Sequence, residues 1–214
     1  MKRYLLFLVI ISTLALNLSA LSLNLSNIGR SSYSKPETDS VKLIKLISQT
    51  KIKKIHALLD KHKSDKSEDF LKFINTPEVI TNSYLGTSNS QTALIASIYA
   101  AITDNGKALS ALIWATKQLS PQDFLTWVTT TITNTFGKNT NTLSPLICTI
   151  QISPIDNAKT IHSILAAAQK KLKPGDFFTF INKEITSKYQ HLDQNITETL
   201  SPLSCAIEIA HLDD

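Results

Sequence analysis

Glycine is scarce in this sequence, with 5 in 214 residues, and the scarcity limits the kinds of site that the chain can form. Phosphate-binding loops, dinucleotide fingerprints and the Gly-x-Ser-x-Gly turn of hydrolases all need closely spaced glycines, and none of these motifs occurs. With only 7 prolines as well, the composition also argues against a turn-rich β protein. The sequence therefore predicts no catalytic residue and no cofactor-binding residue, and we expect a protein that is not an enzyme.

Metal-binding and disulfide patterns are also missing. The chain has 2 cysteines and 5 histidines, and no histidine has a second His or a Cys at the spacing that zinc sites use. Cys148 and Cys205 occupy the same place in two similar segments. Stacked helices lie about 8–10 Å apart, whereas a disulfide needs Cα atoms within about 7 Å. We predict two buried free thiols and no bound metal at His56, His62, His162, His191 or His211.

No apolar run is long enough to span a membrane. Lys2 and Arg3 precede the 13 residues Tyr4–Leu16, which are short of the about 20 that a membrane-spanning helix needs. Ala20-Leu21-Ser22 is a candidate cleavage site, so residues 1–22 are predicted to be a signal peptide, with an uncleaved anchor as the alternative. We expect a secreted or periplasmic (extracytoplasmic) protein that contacts the membrane only transiently, through the signal segment.

The net charge gives no sign of nucleic-acid binding. Removing Lys2 and Arg3 with the signal peptide lowers the formal charge from +5 to +3 (5 − 2 = 3), which is too small to predict that class of partner. A lysine-rich stretch from Lys42 to Lys66 would suit an anionic surface. The alternative, which we favour, is that these lysines form the solvated face of the first helices.

A repeat organises the rest of the chain after a predicted flexible linker at residues 23–40. Asp69, Asp123 and Asp176 each begin a similar apolar segment, at spacings of 54 and 53 residues. Leu and Ile stand four residues apart in four other segments, which places both on one face of a helix. These pairs are Leu43 with Ile47, Leu94 with Ile98, Leu146 with Ile150, and Leu203 with Ile207.

The repeat predicts an all-α fold with one domain, residues 41–214. We expect a short α-solenoid of three units of about 53 residues with three helices each, followed by a terminal helix. The predicted units cover about residues 41–91, 92–142 and 143–199, with a partial unit at 200–214. Segments Asn75–Gln91, Phe136–Thr142 and Tyr189–Thr199 differ most between units and are expected to be variable loops along one edge.

The segment Ser201–Asp213, which reads SPLSCAIEIAHLD, resembles the opening of an ankyrin repeat, Thr-Pro-Leu-His-x-Ala-Ala-x-x-Gly-His-x-Asp. Ser144-Pro145-Leu146 and Thr92-Ala93-Leu94 are similar to the same element. Ile95, Ile147 and Ser204 stand where the family has its motif histidine. The chain thus resembles a degenerate ankyrin-repeat protein whose unit exceeds the family's about 33 residues by a third helix. The resemblance implies protein–protein binding without chemistry of its own.

Two features of the third helices have alternative interpretations. The recurring aspartates are expected to stabilise helix N-termini, the alternative being catalytic carboxylates. An aromatic stripe at i, i+3 spacing is expected to be core, and Trp114 likewise, the alternative being a ligand groove. The stripe consists of Phe70, Phe73, Phe124, Trp127, Phe177 and Phe180.

The sequence therefore predicts an exported, non-catalytic protein–protein interaction module with an unknown protein partner. Specificity is expected to lie in the variable segments. The alternative is a self-associating structural or envelope assembly protein, which leaves an oligomer possible. In the terminal helix we expect one face to pack inward and the other to form a polar cap. The inward residues would be Leu203, Ile207 and Ala210, and the outward ones Ser204, Glu208 and His211.

Overall fold

A computed structural model describes residues 37–82, 87–137, 139–152, 158–191 and 194–210. The predicted signal peptide lies outside these residues, as does most of the predicted linker. Helix α1 (Asp39–Ser48) begins before the predicted linker ends, and the hydroxyl of Thr38 caps it by accepting from the Val41 backbone N–H at 3.4 Å. The elements described below belong to one compact unit that begins at Thr38. No helix in the described ranges is long and apolar enough to cross a membrane.

The chain repeats one arrangement, in which three helices are followed by a β-hairpin. The first copy is α1, α2 (Ile52–Lys61), α3 (Ser67–Asn75), β1 (Glu78–Asn82) and β2 (Thr87–Gln91). The second is α4 (Ala93–Asp104), α5 (Lys107–Ala115) with a 3-10 turn (Thr116–Gln118), α6 (Pro121–Thr129), β3 (Ile132–Phe136) and β4 (Asn139–Leu143). The third is α7 (Pro145–Ile152), α8 (Ala158–Lys171), α9 (Pro174–Ile181), β5 (Ile185–His191) and β6 (Gln194–Leu200), and α10 (Pro202–Ala210) follows.

The hairpins join into one antiparallel sheet. Its six described strands lie in the order β1-β2-β3-β4-β5-β6. Each hairpin has the same register at its base, where it leaves the helices. The base pairs are Glu78 with Gln91, Ile132 with Leu143, and Ile185 with Leu200.

This sheet shows that the all-α prediction is wrong, and with it the prediction of an α-solenoid. The segments predicted to be loops, Asn75–Gln91, Phe136–Thr142 and Tyr189–Thr199, lie largely in the hairpins. A strand is usually recognised by apolar and polar residues in alternation. Here both faces are polar over most of each strand, so the alternation is absent. The signal that was missed is the β-branched threonine content, because threonine favours strands.

The helices stack in three columns, and the core lies between them. The first helices α1, α4, α7 and α10 contact one another in order, as do the middle helices α2, α5 and α8 and the third helices α3, α6 and α9. The leucines that begin the predicted Leu/Ile pairs, Leu43, Leu94 and Leu146, are at most 4% exposed. In the described residues, the leucines of the predicted apolar stripes therefore belong to the core in α1, α4 and α7.

The aromatic stripe of the third helices is also core, which confirms the preferred interpretation over a ligand groove. Phe70, Phe124, Trp127 and Phe180 are at most 1% exposed. Within each helix two rings meet edge to face at centroid distances of 5.8, 5.5 and 6.4 Å. The expectation for Trp114 is wrong, because 48% of this residue is exposed and the Lys117 Nζ lies 5.8 Å from its ring centroid.

Candidate binding surfaces

The structure describes the side chains of three of the five histidines, His56, His62 and His162. Within the described ranges, no three His, Cys, Asp or Glu side chains are grouped so that they could hold a metal ion. His56 and His162 are exposed. The side chains of His191 and His211 lie outside the described part. His62 is the histidine that the structure places among acidic groups.

His62 joins the two ends of the first helix pair, α1 and α2. Its Nε2 lies 3.0 Å from Asp39 Oδ2, and its Nδ1 lies 2.6 Å from Asp65 Oδ2. The ring stacks on Phe73 with centroids 3.9 Å apart. Lys61 Nζ donates to the same Asp39 oxygen at 2.6 Å. Because Asp39 starts α1 and His62 follows α2, the cluster fixes the N-terminal end of the helix array.

The hydrogen bonds from Lys61, and then from His62, hold the pKa of the Asp39 carboxyl below its ordinary value of 3.8. A lowered pKa in the folded state means that Asp39 stabilises the fold above the unfolded value, and that this stability is lost as the pH falls through the folded value. We expect Asp39→Asn to lower the free energy of unfolding by about 0.5–1 kcal/mol at about pH 7 and by almost nothing at about pH 2.

Urea unfolding of both proteins at the two pH values measures the difference. The control is Asp60→Asn, since Asp60 is an exposed acid on α2 and its loss should change stability little at either pH. An Asp39→Asn cost that is the same at both pH values would contradict an ionic role for this carboxylate.

The recurring aspartates serve the helix starts, and Asp123 also links two units. Its carboxylate accepts hydrogen bonds from the hydroxyl of Ser67 and, at 2.8 Å, from that of Ser120. The Ser120 backbone N–H donates to the Ser67 hydroxyl at 2.7 Å. These bonds, first from Ser67, lower the pKa of Asp123. Helix α3 itself begins at Ser67, after the N-cap residue Lys66.

The two cysteines are free and buried, as predicted. Burial raises the pKa of the Cys148 thiol to about 12, and a hydrogen bond with Tyr99 only partly opposes this. A thiol must lose its proton to act as a nucleophile. Cys148 is therefore a packing residue between α4 and α7.

A cleft of about 520 Å³ lies between the α4–α5 turn and the start of α8. Its polar lining includes Asn105, Ser110, Lys159 and His162. Asp104 holds the turn by accepting from the backbone N–H groups of Gly106 and Ala108, at 2.8 and 2.9 Å. Lys159 and His162 are exposed to solvent, whereas catalytic pockets typically desolvate their acid–base groups. The described part of this cleft does not have that character.

The hairpin sheet has one surface made largely of hydroxyl groups, which we call the hydroxyl face. Successive strand residues alternate between the two faces of a sheet. Thr133 therefore shares a face with its partner Thr142, and Thr186 with Thr199; the hydroxyl oxygens of each pair lie 3.3 Å apart. By this register the hydroxyl face comprises Val79, Ser88, Ser90, Thr133, Thr135, Thr140, Thr142, Thr186, Lys188, Thr197 and Thr199.

Side chains of the opposite sheet face join neighbouring hairpins. Asn134 Oδ1 accepts from the Ser90 backbone N–H at 2.8 Å, and Ser187 Oγ accepts from the Thr142 backbone N–H at 3.0 Å. Asn134 and Ser187 hold equivalent places in β3 and β5, two residues beyond the buried Ile132 and Ile185. At each junction, a side-chain hydrogen bond thus joins the two hairpins beyond their last backbone pair. This keeps the hydroxyl face continuous.

The terminal helix α10 exposes an apolar stripe, which we call the terminal stripe: Leu203, Ala206 and Ile207. Leu203 is 61% exposed and Ile207 is 50% exposed. The prediction that both pack inward is wrong; Pro202 and Cys205 are buried instead, with Cys205 against Ile147 and Ile185. Nothing is described for the side chains of Glu208, Ala210 and His211.

The prediction for Leu203 and Ile207 is wrong for a physical reason, which is the orientation of the first helices. Leu43 and Leu94 hold the place of Leu203 in earlier copies and are 0% and 1% exposed. In the column of first helices, α1 contacts α4 and α4 contacts α7, whereas no described first helix follows α10. The spacing of Leu203 and Ile207 correctly predicts an apolar stripe, but it does not predict the direction in which that stripe faces.

Comparison of the chain with protein families, with curated proteins and with solved structures found no match. The ankyrin resemblance of Ser201–Asp213 thus stays a prediction from those residues. The basis for a functional inference is the two surfaces above, the hydroxyl face and the terminal stripe.

Proposed function

We propose that the protein is an exported, non-catalytic protein-interaction module, and that its partner binds the hydroxyl face. The observation that carries this proposal is the continuity of that face across all six described strands. The predicted variable segments contain β1, β2 and most of β4 and β6, whereas most of β3 and β5 lies outside them. The segments that differ most between units thus contribute to one surface.

The chemistry of the hydroxyl face suits a protein partner. Ser and Thr offer adaptable hydrogen bonding in protein-binding surfaces. Threonine is stiff at χ1, so ordering it on binding costs little conformational entropy. Thr133, Thr186 and Thr199 are exposed and held on paired strands, which presents their hydroxyl groups in fixed positions.

The size and charge of the face also fit a protein. Strands about 4.8 Å apart and about 17 Å long give six strands a flat area of about 24 by 17 Å. This is large enough for the centre of an ordinary protein interface. Lys188 is the one formally charged residue among those that form the face, whereas a nucleic-acid surface needs several Lys or Arg side chains for phosphates.

The test compares proteins retained from an extract of the source cells by the immobilised full-length chain. In one variant, threonines at positions 133, 142, 186 and 199 are all replaced by valine, which keeps the shape of each side chain and removes its hydroxyl. We expect one protein bound by the unmodified chain to lose at least about ten-fold in affinity for this variant.

The matched control replaces two exposed helical threonines, Thr126→Val and Thr179→Val, whose hydroxyls bond to their own helices at 3.1 and 3.0 Å. The control should bind the partner as the unmodified chain does. Equal retention by the sheet variant, or no retained protein at all, would sink the proposal.

Self-association is the second candidate function, and a different observation favours it. Leu203 and Ile207 are exposed at positions that are covered in earlier copies of the unit. A structural or assembly role would use this stripe rather than the hydroxyl face.

A further inference from the structure

The terminal stripe has the composition of a buried helix interface. Leu203, Ala206 and Ile207 stand at i, i+3 and i+4, which places them on one face of α10. Leu203 and Ile207 are among the most exposed large apolar side chains in the described ranges. Large apolar patches on a protein surface mark interaction sites.

The small residue in the middle of the stripe fits close packing against a second helix. Ala206 is exposed between the two larger side chains. Helices approach to about 8 Å only where side chains at the contact are small. A helix crossing at Ala206 would place its own large side chains beside Leu203 and Ile207.

The opposite end of the array does not complement this stripe. There the outward surfaces of α1 and α2 carry exposed cationic side chains, including Lys42, Lys53 and Lys54. An apolar stripe packed on this end would bury charged ammonium groups, which is costly without partners. Head-to-tail association of copies is therefore disfavoured, and an apolar surface is needed to cover the stripe.

We propose that the terminal stripe pairs with the same stripe of a second copy, which gives a closed dimer with two-fold symmetry. An interface of this kind is isologous, so residue i contacts residue j and j contacts i. Two α10 helices crossing antiparallel at Ala206 place Leu203 of each copy against Ile207 of the other. The inference rests on the second candidate function, self-association, and is independent of partner binding by the hydroxyl face.

The contact is small, and this sets the expected strength. A helix of nine residues is about 13 Å long, so one helix per copy buries less than the about 800 Å² per partner of a standard interface. Small interfaces belong to weak or transient complexes. We expect a dissociation constant of about 1–100 μM.

Sedimentation of the full-length chain across about 1–300 μM tests the proposal. We expect the average mass to rise from monomer to dimer and no further. In the variant with Leu203→Glu and Ile207→Glu, the dissociation constant should rise at least about 100-fold, because like charges meet across the two-fold axis. Circular dichroism checks that this variant is folded.

Two further arms make the test specific. The control carries Ile102→Glu and Trp114→Glu, whose side chains are 55% and 48% exposed in the unmodified chain and lie on α4 and α5, and it should dimerise as the unmodified chain does. The variant with Leu203→Lys and Ile207→Lys should form one-to-one heterodimers when mixed with the double-Glu variant, although each is monomeric alone.

Three results would overturn the inference. These are a monomer at the highest concentration, association beyond dimers, or a double-Glu variant that dimerises as the unmodified chain does. A mixture of the oppositely charged variants that stays monomeric would overturn the isologous geometry. None of these results bears on the hydroxyl face, which is tested with different residues, so failure of either proposal is distinguishable from failure of the other.

Discussion

Replacing Trp127 by alanine should lower the free energy of unfolding by about 3–5 kcal/mol, because the substitution empties the volume of the largest side chain in the core. Trp127 is 1% exposed and meets Phe124 edge to face at 5.5 Å. Its helix α6 lies between α3 and α9 in the column of third helices. The cavity would therefore open between units. Urea unfolding followed by circular dichroism measures the loss.

Two companion substitutions separate packing from other effects. Trp127 Nε1 has no hydrogen-bond acceptor in the described part of the structure, so Trp127→Phe removes an unpaired donor and keeps most of the packing. It should cost less than about 1.5 kcal/mol. Trp114→Ala removes a half-exposed ring and should cost less than about 1 kcal/mol. Equal costs for alanine at 114 and 127 would contradict the burial assigned to Trp127.

Replacing Leu94 by alanine should lower the free energy of unfolding by about 2–5 kcal/mol, whereas the same change at Leu203 should cost less than about 0.5 kcal/mol. The two leucines hold the same position in the repeat, but Leu94 is 1% exposed and Leu203 is 61% exposed. Hydrophobic stabilisation scales with the apolar area removed from water, so an equivalent position gives a different effect.

This comparison is made at about 0.1 μM protein, below the expected range of the dissociation constant, so that any dimer is largely dissociated. Thermal and urea unfolding should rank the variants in the same order. A large monomer destabilisation by Leu203→Ala would mean that this residue is buried within its own chain, and would contradict the exposure of the terminal stripe. A small effect of Leu94→Ala would contradict the stacking of first helices.

The helices could be predicted from sequence because their apolar positions follow the helical period. Leu94 and Ile98 are four residues apart and both buried, and Phe124 and Trp127 are three apart and both buried. Such spacings place side chains on one face whatever lies opposite, so they identify a core stripe locally. Helices α6 and α9 begin at Pro121 and Pro174, and proline is common at the first position of a helix.

The hairpins could not be recognised in the same way, because little of each strand is buried. Ile132 and Leu143 pair at the base of the second hairpin and are 4% and 3% exposed, but the residues between them are polar apart from Phe136 and Gly137. On neither face of these strands do apolar residues recur at the regular spacing that predicts a strand. The strands pair mainly within each hairpin, and Asn134 and Ser187 join neighbouring hairpins through contacts between residues more than 40 positions apart.

The surfaces were only partly predictable for the same reason. Asp39 and His62 are 23 positions apart, and no local pattern indicates that they meet. The hydroxyl face arises when three separate hairpins align. The terminal stripe was visible as Leu203 and Ile207, but its direction depends on which side of α10 the preceding units occupy.

The two hairpin junctions use equivalent residues, and this bears on how the protein's length can change. Ser88 pairs with Thr135 at the first junction, and Thr140 pairs with Lys188 at the second. A duplicated unit of about 53 residues would meet the same partners on both sides, in the sheet as well as in the helix columns. Gene duplication or deletion of whole units would then lengthen or shorten the array without changing the positions that pair at the junctions between units. Each added unit would widen the hydroxyl face by two strands, so the reach of the surface would grow in steps of about 10 Å.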